Sequence, residues 1–314
     1  MTKKLAMVFP GQGAQAVGML AELATSYPAV EKVYQTASEV LGYDLWELVQ
    51  NGPADKLNQT NVTQPALLSA SYAVWQVWQE KGGTMPEVMA GHSLGEYSAL
   101  VCAGAIEFED AVGLVEARGK FMQEVVPDGV GAMAAIVGLD DQAIIDGCES
   151  LCDDLKVNAA NFNSPGQVVI AGHKEKVELA CTEFKANGAK MAKLLPVSVP
   201  SHSALMMPAA KKLSDKLSGI NMKQPQIPVV QNVDADICDN IDAVRENLIK
   251  QLYSPVQWVK SAQKLSELGI EQVVEAGPGK VLAGLNKRII KQIPTLPVFD
   301  SDGLDKALGA LQGE

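Results

Sequence analysis

Histidine is scarce here: three residues in 314, alongside five cysteines and an aromatic content of 5%. The cysteines (Cys102, Cys148, Cys152, Cys181 and Cys238) are odd in number and scattered, and none shares C-x-x-C spacing. A zinc ribbon, a dithiol redox motif and a disulfide framework are therefore excluded in favour of reduced, cytosolic thiols, and no metal is expected. Long apolar runs are missing too. None approaches the ~20 residues of a membrane helix, and the stretch Leu5–Phe9 is too short for the core of a signal peptide. Positive charge is in short supply, 26 Lys and Arg against 37 Asp and Glu for a net charge of -11. A general nucleic-acid binder would need a basic face to neutralise phosphates, so neither nucleic acid nor membrane is an expected partner, and a cytoplasmic location is expected. Repeats and low-complexity segments are absent.

What is present is a 47% hydrophobic chain, ample for a sizeable core. Leu5–Phe9 reads as a short buried strand ended by the turn "PGQGAQ". "PALLSASYAVWQVWQEKG" reads as a helix stopped at Gly82, Glu87–Ala90 as a brief strand, and "EYSALVCAGAI" as a helix. Between the last two stands Gly91-His92-Ser93-Leu94-Gly95, the pattern G-x-S-x-G. Strand, turn and helix are the context in which two glycines let a serine hydroxyl stand exposed on a strained elbow.

Residues 131–197 have their own rhythm. "GAMAAIVGL" is a strand and "DDQAIIDGCESLC" a helix opened by an aspartate cap. "LKVNAANFNSPGQVVIAG" is two strands around Asn163-Ser164-Pro165-Gly166, "HKEKVELACTEFKANG" a helix, and "AKMAKLLPVSV" a closing strand. The order βαββαβ is that of a ferredoxin-like unit. A helix near 203–218, a strand in "PQIPVVQNV", helices near 241–268 and the strand–turn–helix "IEQVVEAGPGKV" follow. The expectation is an α/β chain with an α/β-hydrolase-like core (1–127 and 198–314), its sheet mostly parallel, interrupted by a ferredoxin-like insert at 128–197. "GPGKV" lacks the Lys-Ser/Thr pair of a phosphate loop and reads as a turn.

A serine nucleophile needs a base within hydrogen-bond reach. His92 adjoins Ser93 on the elbow, where neighbouring side chains diverge. His173 heads a Lys/Glu-rich helix and reads as a solvated cap. His202, in "VPSHSALM", lies where the insert returns to the core, and junction loops are where sites form. No carboxylate stands out as a third member of a hydrolase triad. Arg118 is also out of place. It shares the apolar stripe of Ala111, Leu114, Val115, Met122 and Val125, while Glu116 and Lys120 pair on the opposite side. An inward guanidinium must meet either a structural carboxylate or a substrate anion.

Seven ordered motifs join these pieces: "FPGQGAQ" at 9–15, "GHSLGEYSAL" at 91–100, "EARGKFMQ" at 116–123, "NFNSPGQVVIAG" at 161–172, "VPSHSALM" at 199–206, "QLYSPVQW" at 251–258 and "EAGPGKVLAGL" at 275–285. Over essentially its whole length the chain resembles the malonyl-CoA:acyl carrier protein transacylases of bacterial fatty acid synthesis. The resemblance implies Ser93 as acylated nucleophile, His202 as its base and Gln251 as the oxygen donor to the other histidine nitrogen, through side chain or backbone. It implies an oxyanion hole from the backbone N–H groups of Gln12 and Leu94. Arg118 would hold the malonyl carboxylate, and Met122, Asn161 and Val281 would line the pocket. Malonyl-CoA and holo acyl carrier protein are the implied partners, with no cofactor and a monomeric enzyme. "VPSH" matches neither selectivity signature of the multidomain polyketide relatives.

Acyl carrier proteins of this pathway are acidic, as is this chain, so docking calls for a local basic patch. Lys280, Lys287, Arg288 and Lys291 fall in a stretch without acidic residues, and Lys287 and Arg288 are the expected docking pair; cations suiting a helix C-terminus are the competing reading. The competing functions are a serine hydrolase or thioesterase, a polyketide acyltransferase of different extender choice, and a non-catalytic carrier-protein binding module.

Overall fold

A computed structural model describes residues 3–127, 129–197 and 199–312. Nine strands occur among them: β1 (Leu5–Phe9), β2 (Val88–Gly91), β3 (Gly131–Val137), β4 (Val157–Ser164), β5 (Gln167–His173), β6 (Met191–Leu194), β7 (Val229–Val230), β8 (Gln272–Ala276) and β9 (Thr295–Val298). They form two sheets, β7-β2-β1-β8-β9 and β4-β5-β3-β6.

Every pairing in the first sheet is parallel. β1 is buried along its length and alternates between two cores. Leu5, Met7 and Phe9 pack into the larger one, with Leu67 and Trp78 of the Thr60–Glu80 helix. Ala6 and Val8 pack into the other, with Trp258 and Leu282. A central parallel strand covered on both faces has to read as a continuous apolar run, as "LAMVF" does.

All pairings in the second sheet are antiparallel. Its element order is βαββαβ and its strand order that of the expected ferredoxin-like unit. The helices Asp141–Ser150 and Lys174–Ala186 cover one face through Ile144, Cys148, Val177, Ala180 and Phe184. Asp140 caps the first of them, its side chain accepting from the Gln142 N–H at 2.9 Å. The other face carries Met133, Ala160, Val169 and Ala171, against which Leu195 and Val197 pack. Asp128, the expected first residue of this unit, and Ser198, the expected first residue of the core after it, lie outside the described residues.

Several elements differ from the sequence expectation. The long helix begins at Thr60 and contains Pro65, rather than starting at it. The β4–β5 turn is shorter than expected, since β4 runs through Asn163 and Ser164 and Ser164 pairs with Gln167. β6 covers only Met191–Leu194 of "AKMAKLLPVSV"; Leu195 adds one more bond to β3, its N–H donating to the Met133 oxygen at 2.9 Å, before the chain turns away. β7 shrinks to Val229–Val230 because Gln231 and Asn232 turn aside to bond Glu96. β9 and the helix Ser301–Gln312 had not been anticipated. Among the described residues, no helix is long and apolar enough to cross a membrane.

Candidate active site

β2 delivers Ser93 to the start of the helix Leu94–Cys102 with φ 53° and ψ −106°, a conformation that needs local support. The two motif glycines make it possible. A Cβ on Gly91 would lie 1.9 Å from the Gly95 carbonyl carbon, and one on Gly95 would lie 2.1 Å from the Phe9 oxygen. Strand, elbow and helix thus touch backbone to backbone. Asn232 clamps the turn, accepting from the Ser93 N–H at 2.7 Å and donating to the Gly91 oxygen at 2.6 Å.

His202 reaches this serine from more than a hundred residues away, its Nε2 2.8 Å from Ser93 Oγ. It too has a positive φ, 62°, and its N–H donates to the Leu252 oxygen at 2.9 Å. On the far side of the ring, Nδ1 lies 2.6 Å from the backbone oxygen of Gln251. A carbonyl can only accept, so Nδ1 carries the proton and Nε2 is left as acceptor for the serine hydroxyl. Burial and the neighbouring Arg118 hold the His202 pKa down to about 3. The ring is neutral and ready to take a proton. Gln251 therefore serves the histidine through its backbone.

Its side chain serves Arg118. This guanidinium is 1% exposed. Nη1 donates to Gln64 Oε1 at 2.8 Å, Nη2 to Gln251 Oε1 at 2.9 Å, and Nη2 also leans on Ser93 Oγ at 3.4 Å. The Tyr97 ring centroid is 5.3 Å from Cζ, and the buried Nε–H has no partner. Every salt bridge among the described residues uses a lysine, so none involves Arg118. Of the two fates foreseen for this arginine, pairing with a structural carboxylate is absent among the described residues. Two amide oxygens orient the charge, and the Glu96 carboxylate acts on it only across the Gln251 amide, without touching it.

A cavity of about 120 Å³ opens here, lined by Gln12, Ser93, Leu94, Arg118, Met122 and Asn161 among others. Met133, Leu195, Val197 and Val199 give it apolar walls. Leu94 opens its helix, where first-turn N–H groups lack intrahelical partners. Gln12 follows β1, and Gly11 packs so closely on the elbow that a Cβ there would lie 2.4 Å from the His92 oxygen. Asn161, on β4, has its buried Oδ1 without a partner.

Other expected residues lie apart. Val281 is not among those lining the cavity; it is 47% exposed. The reason is local: Glu275 at the end of β8 accepts from the N–H groups of Leu282 and Ala283 at 2.9 and 2.8 Å, fixing the helix start and leaving Val281 outward. Lys287 and Arg288 are exposed on the helix Val281–Ile289, which packs against β4, and Arg288 donates to Gln167 Oε1 at 2.8 Å. His92 lines the cavity but bonds Asn163 Oδ1 at 2.8 Å instead of the serine. His173 precedes its helix without capping it, accepting instead from the Lys156 N–H at 2.8 Å.

Sequence reasoning missed Gln64, Glu96 and Asn232. A polar side chain inside an otherwise apolar helix, such as Glu96 in "LGEYSALVC", was a signal available for two of them.

Residues 6–306 match the acyl transferase domain family. The chain belongs to that family. This acyl transferase is 58% identical over 305 residues to the malonyl CoA-acyl carrier protein transacylase of Escherichia coli (strain K12), covering 97% of this chain and 99% of that one. The Bacillus subtilis (strain 168) protein of the same name is 46% identical over 312 residues, 99% of this chain and 98% of its own. Among solved structures, the malonyl CoA-acyl carrier protein transacylase of Coxiella burnetii superposes with a TM-score of 0.98 at 50% identity, covering 99% and 98% of the two chains. A malonyl-transacylase in complex with its type II PKS acyl-carrier protein gives 0.96 at 56% identity, covering 98% and 99%.

Proposed function

We propose that this acyl transferase moves the malonyl group from malonyl-CoA to the phosphopantetheine thiol of acyl carrier protein through a malonyl ester of Ser93, supplying fatty acid synthesis in the cytoplasm. The observation that carries this reading is the buried, carboxylate-free Arg118, 3.4 Å from the serine oxygen. A malonyl group esterified to that oxygen has its free carboxylate two carbons further on, within reach of the guanidinium. Fork and carboxylate match bidentately.

In the first step His202 Nε2 takes the Ser93 proton as Oγ attacks the thioester carbonyl. The N–H groups of Gln12 and Leu94 receive the developing oxyanion. Collapse expels coenzyme A as thiolate, which takes the proton back from His202. The carrier thiol then gives its proton to His202, attacks the ester carbonyl, and Ser93 leaves as the alcohol. Thiols ionise more readily than water or alcohols, so a base oriented by a backbone carbonyl and kept neutral by burial suffices. Met122 and Asn161 shape the acyl pocket, and its apolar walls favour thiol over water. All these residues belong to one chain, as a monomer requires, and no cofactor takes part.

The division into a core of 1–127 with 198–314 and an insert of 128–197 belongs to the same reading. The core holds serine, histidine and arginine, while β4 of the insert presents Asn161. Lys287 and Arg288 are the proposed docking pair for the acidic carrier protein. The test mixes the protein with malonyl-CoA and holo carrier protein, following transferred acyl group against free acid. Malonyl-CoA alone should leave one malonyl group on Ser93 by intact mass and peptide mapping. Predominant hydrolysis would identify a thioesterase, and undiminished turnover in Ser93→Ala would overturn the assignment.

A further inference from the structure

The helix Leu94–Cys102 is buried along its length, and it carries a carboxylate. Glu96 is 0% exposed. It accepts three hydrogen bonds: from Gln251 Nε2 at 2.8 Å, the Asn232 N–H at 3.0 Å and Gln231 Nε2 at 3.2 Å. Burial raises its pKa to about 7, while these three donors favour the charged form.

The bond to Gln251 has a directional consequence. An amide has a donor end and an acceptor end, and here the surroundings decide which points where. Nε2 faces two acceptors, Glu96 Oε2 and the Ser93 carbonyl oxygen, the latter at 3.0 Å. Oε1 faces Arg118 Nη2. Turned over, the amide would set oxygen against the carboxylate and N–H against the guanidinium, losing both charge-assisted bonds.

We infer that Glu96 is a positioning residue for acyl-group selectivity: it fixes the sense of the Gln251 amide and so aims the Arg118 guanidinium at the free carboxylate of the acyl group. Glu96 does not line the cavity; it acts through Gln251. Through Asn232, which bonds both Ser93 and Gly91, the same carboxylate braces the elbow. The inference rests on Arg118 being the partner of the malonyl carboxylate.

Glu96→Gln puts an N–H where one of three donors now finds an acceptor. The readout is the ratio of malonyl-CoA to acetyl-CoA in Ser93 acylation, measured as single-turnover kcat/KM beside Arg118→Ala, with thermal melts to register folding. Bracing of the elbow affects both donors alike, so the ratio isolates the relay to Arg118. The ratio should fall about tenfold in Glu96→Gln, the scale of one buried hydrogen-bonding group left unmatched. It should fall no further when Glu96→Gln is added to Arg118→Ala, as for residues on one path. A fall with Arg118→Ala but an unchanged ratio with Glu96→Gln, or equal losses with both donors, would overturn the inference alone. An unchanged ratio with Arg118→Ala would sink the Arg118 reading and this inference with it. If Glu96→Gln does not fold, Glu96→Asp keeps the charge one methylene back and must lower the ratio in the same sense; an unchanged ratio there also refutes the relay.

Discussion

Replacing Arg118 by alanine separates the proposed substrate from its nearest alternatives. The guanidinium is buried, donates to two amide oxygens and, at 3.4 Å, to Ser93 Oγ, and forms no salt bridge among the described residues. A malonyl carboxylate bound there would form a charged pair in a site shielded from water. Truncating one side of such a pair costs about 2–5 kcal/mol. That is a loss of roughly 30-fold to several thousand-fold in kcat/KM for acylation by malonyl-CoA. Acetyl-CoA has no second carboxylate and should lose far less. Arg118 also holds the His202 pKa down, so its removal leaves a slightly stronger base for any acyl donor. Stability should move little. Gln64 and Gln251 each lose a bond worth about 1–3 kcal/mol, but a buried charge without a salt-bridge partner is relieved at the same time. Single-turnover acylation with labelled malonyl-CoA and acetyl-CoA, alongside thermal melts, reads all of this. Equal losses with both donors, or a collapse in melting temperature without a change in the ratio, would make Arg118 a structural residue and remove the main support for malonyl.

The depressed histidine gives a pH signature. With His202 held to about 3, its inactive protonated form stays unpopulated between pH 5 and 8, so kcat/KM should show no histidine limb there; a limb centred near 6.5 that survives Glu96→Gln would refute it. The same shift makes the folded state lose stability as pH falls from 6.5 towards 3, because the unfolded chain accepts a proton that the folded one refuses; His202→Ala should remove that part of the slope. Gly95→Ala forces a Cβ to 2.1 Å from the Phe9 oxygen, which should cost ~1–3 kcal/mol and abolish acylation. Wild-type melting and acylation in that variant would show that the elbow needs no such approach. Lys287→Glu with Arg288→Glu should raise the KM for carrier protein severalfold, weaken the salt dependence of transfer and spare acylation by malonyl-CoA. Transfer unaffected at low salt would move the docking surface elsewhere.

The sequence showed what depends on local pattern. "LAMVF" read as a short buried strand, G-x-S-x-G in its strand–turn–helix setting could hold an elbow, and "GAMAAIVGLDDQAII" announced both a strand and the aspartate cap that follows it. Arg118 was conspicuous because a charge on an apolar stripe breaks a periodic rule. What stayed hidden depends on contacts between distant segments. Asn232 lies 139 residues from the Ser93 N–H it accepts from, and Gln251 lies 155 residues from Glu96. Val281 was carried over from the resemblance, but its exposure is decided by how the Glu275 carboxylate seats the next helix. β9 escaped notice because "TLPV" is short, contains a proline and sits at the sheet edge, where a missing N–H is tolerated.

Residue 251 also separates this site from a serine hydrolase. In a hydrolase triad, the third member is a carboxylate that orients the histidine and stabilises its imidazolium. Here the orienting oxygen belongs to the backbone, which frees the side chain of 251 to lie 2.9 Å from Arg118. A carboxylate in that place would form a buried ion pair with the guanidinium. The charge that the proposed function offers to malonyl would then be quenched before substrate arrived, and binding would require breaking the pair. An amide orients without neutralising. It also withholds from His202 the negative neighbour that would raise its pKa, a weakness that matters little when the groups entering and leaving are thiols. On the proposed role of Arg118, the amide at 251 and the unpaired guanidinium at 118 form one adaptation, to an acyl group that carries its own carboxylate.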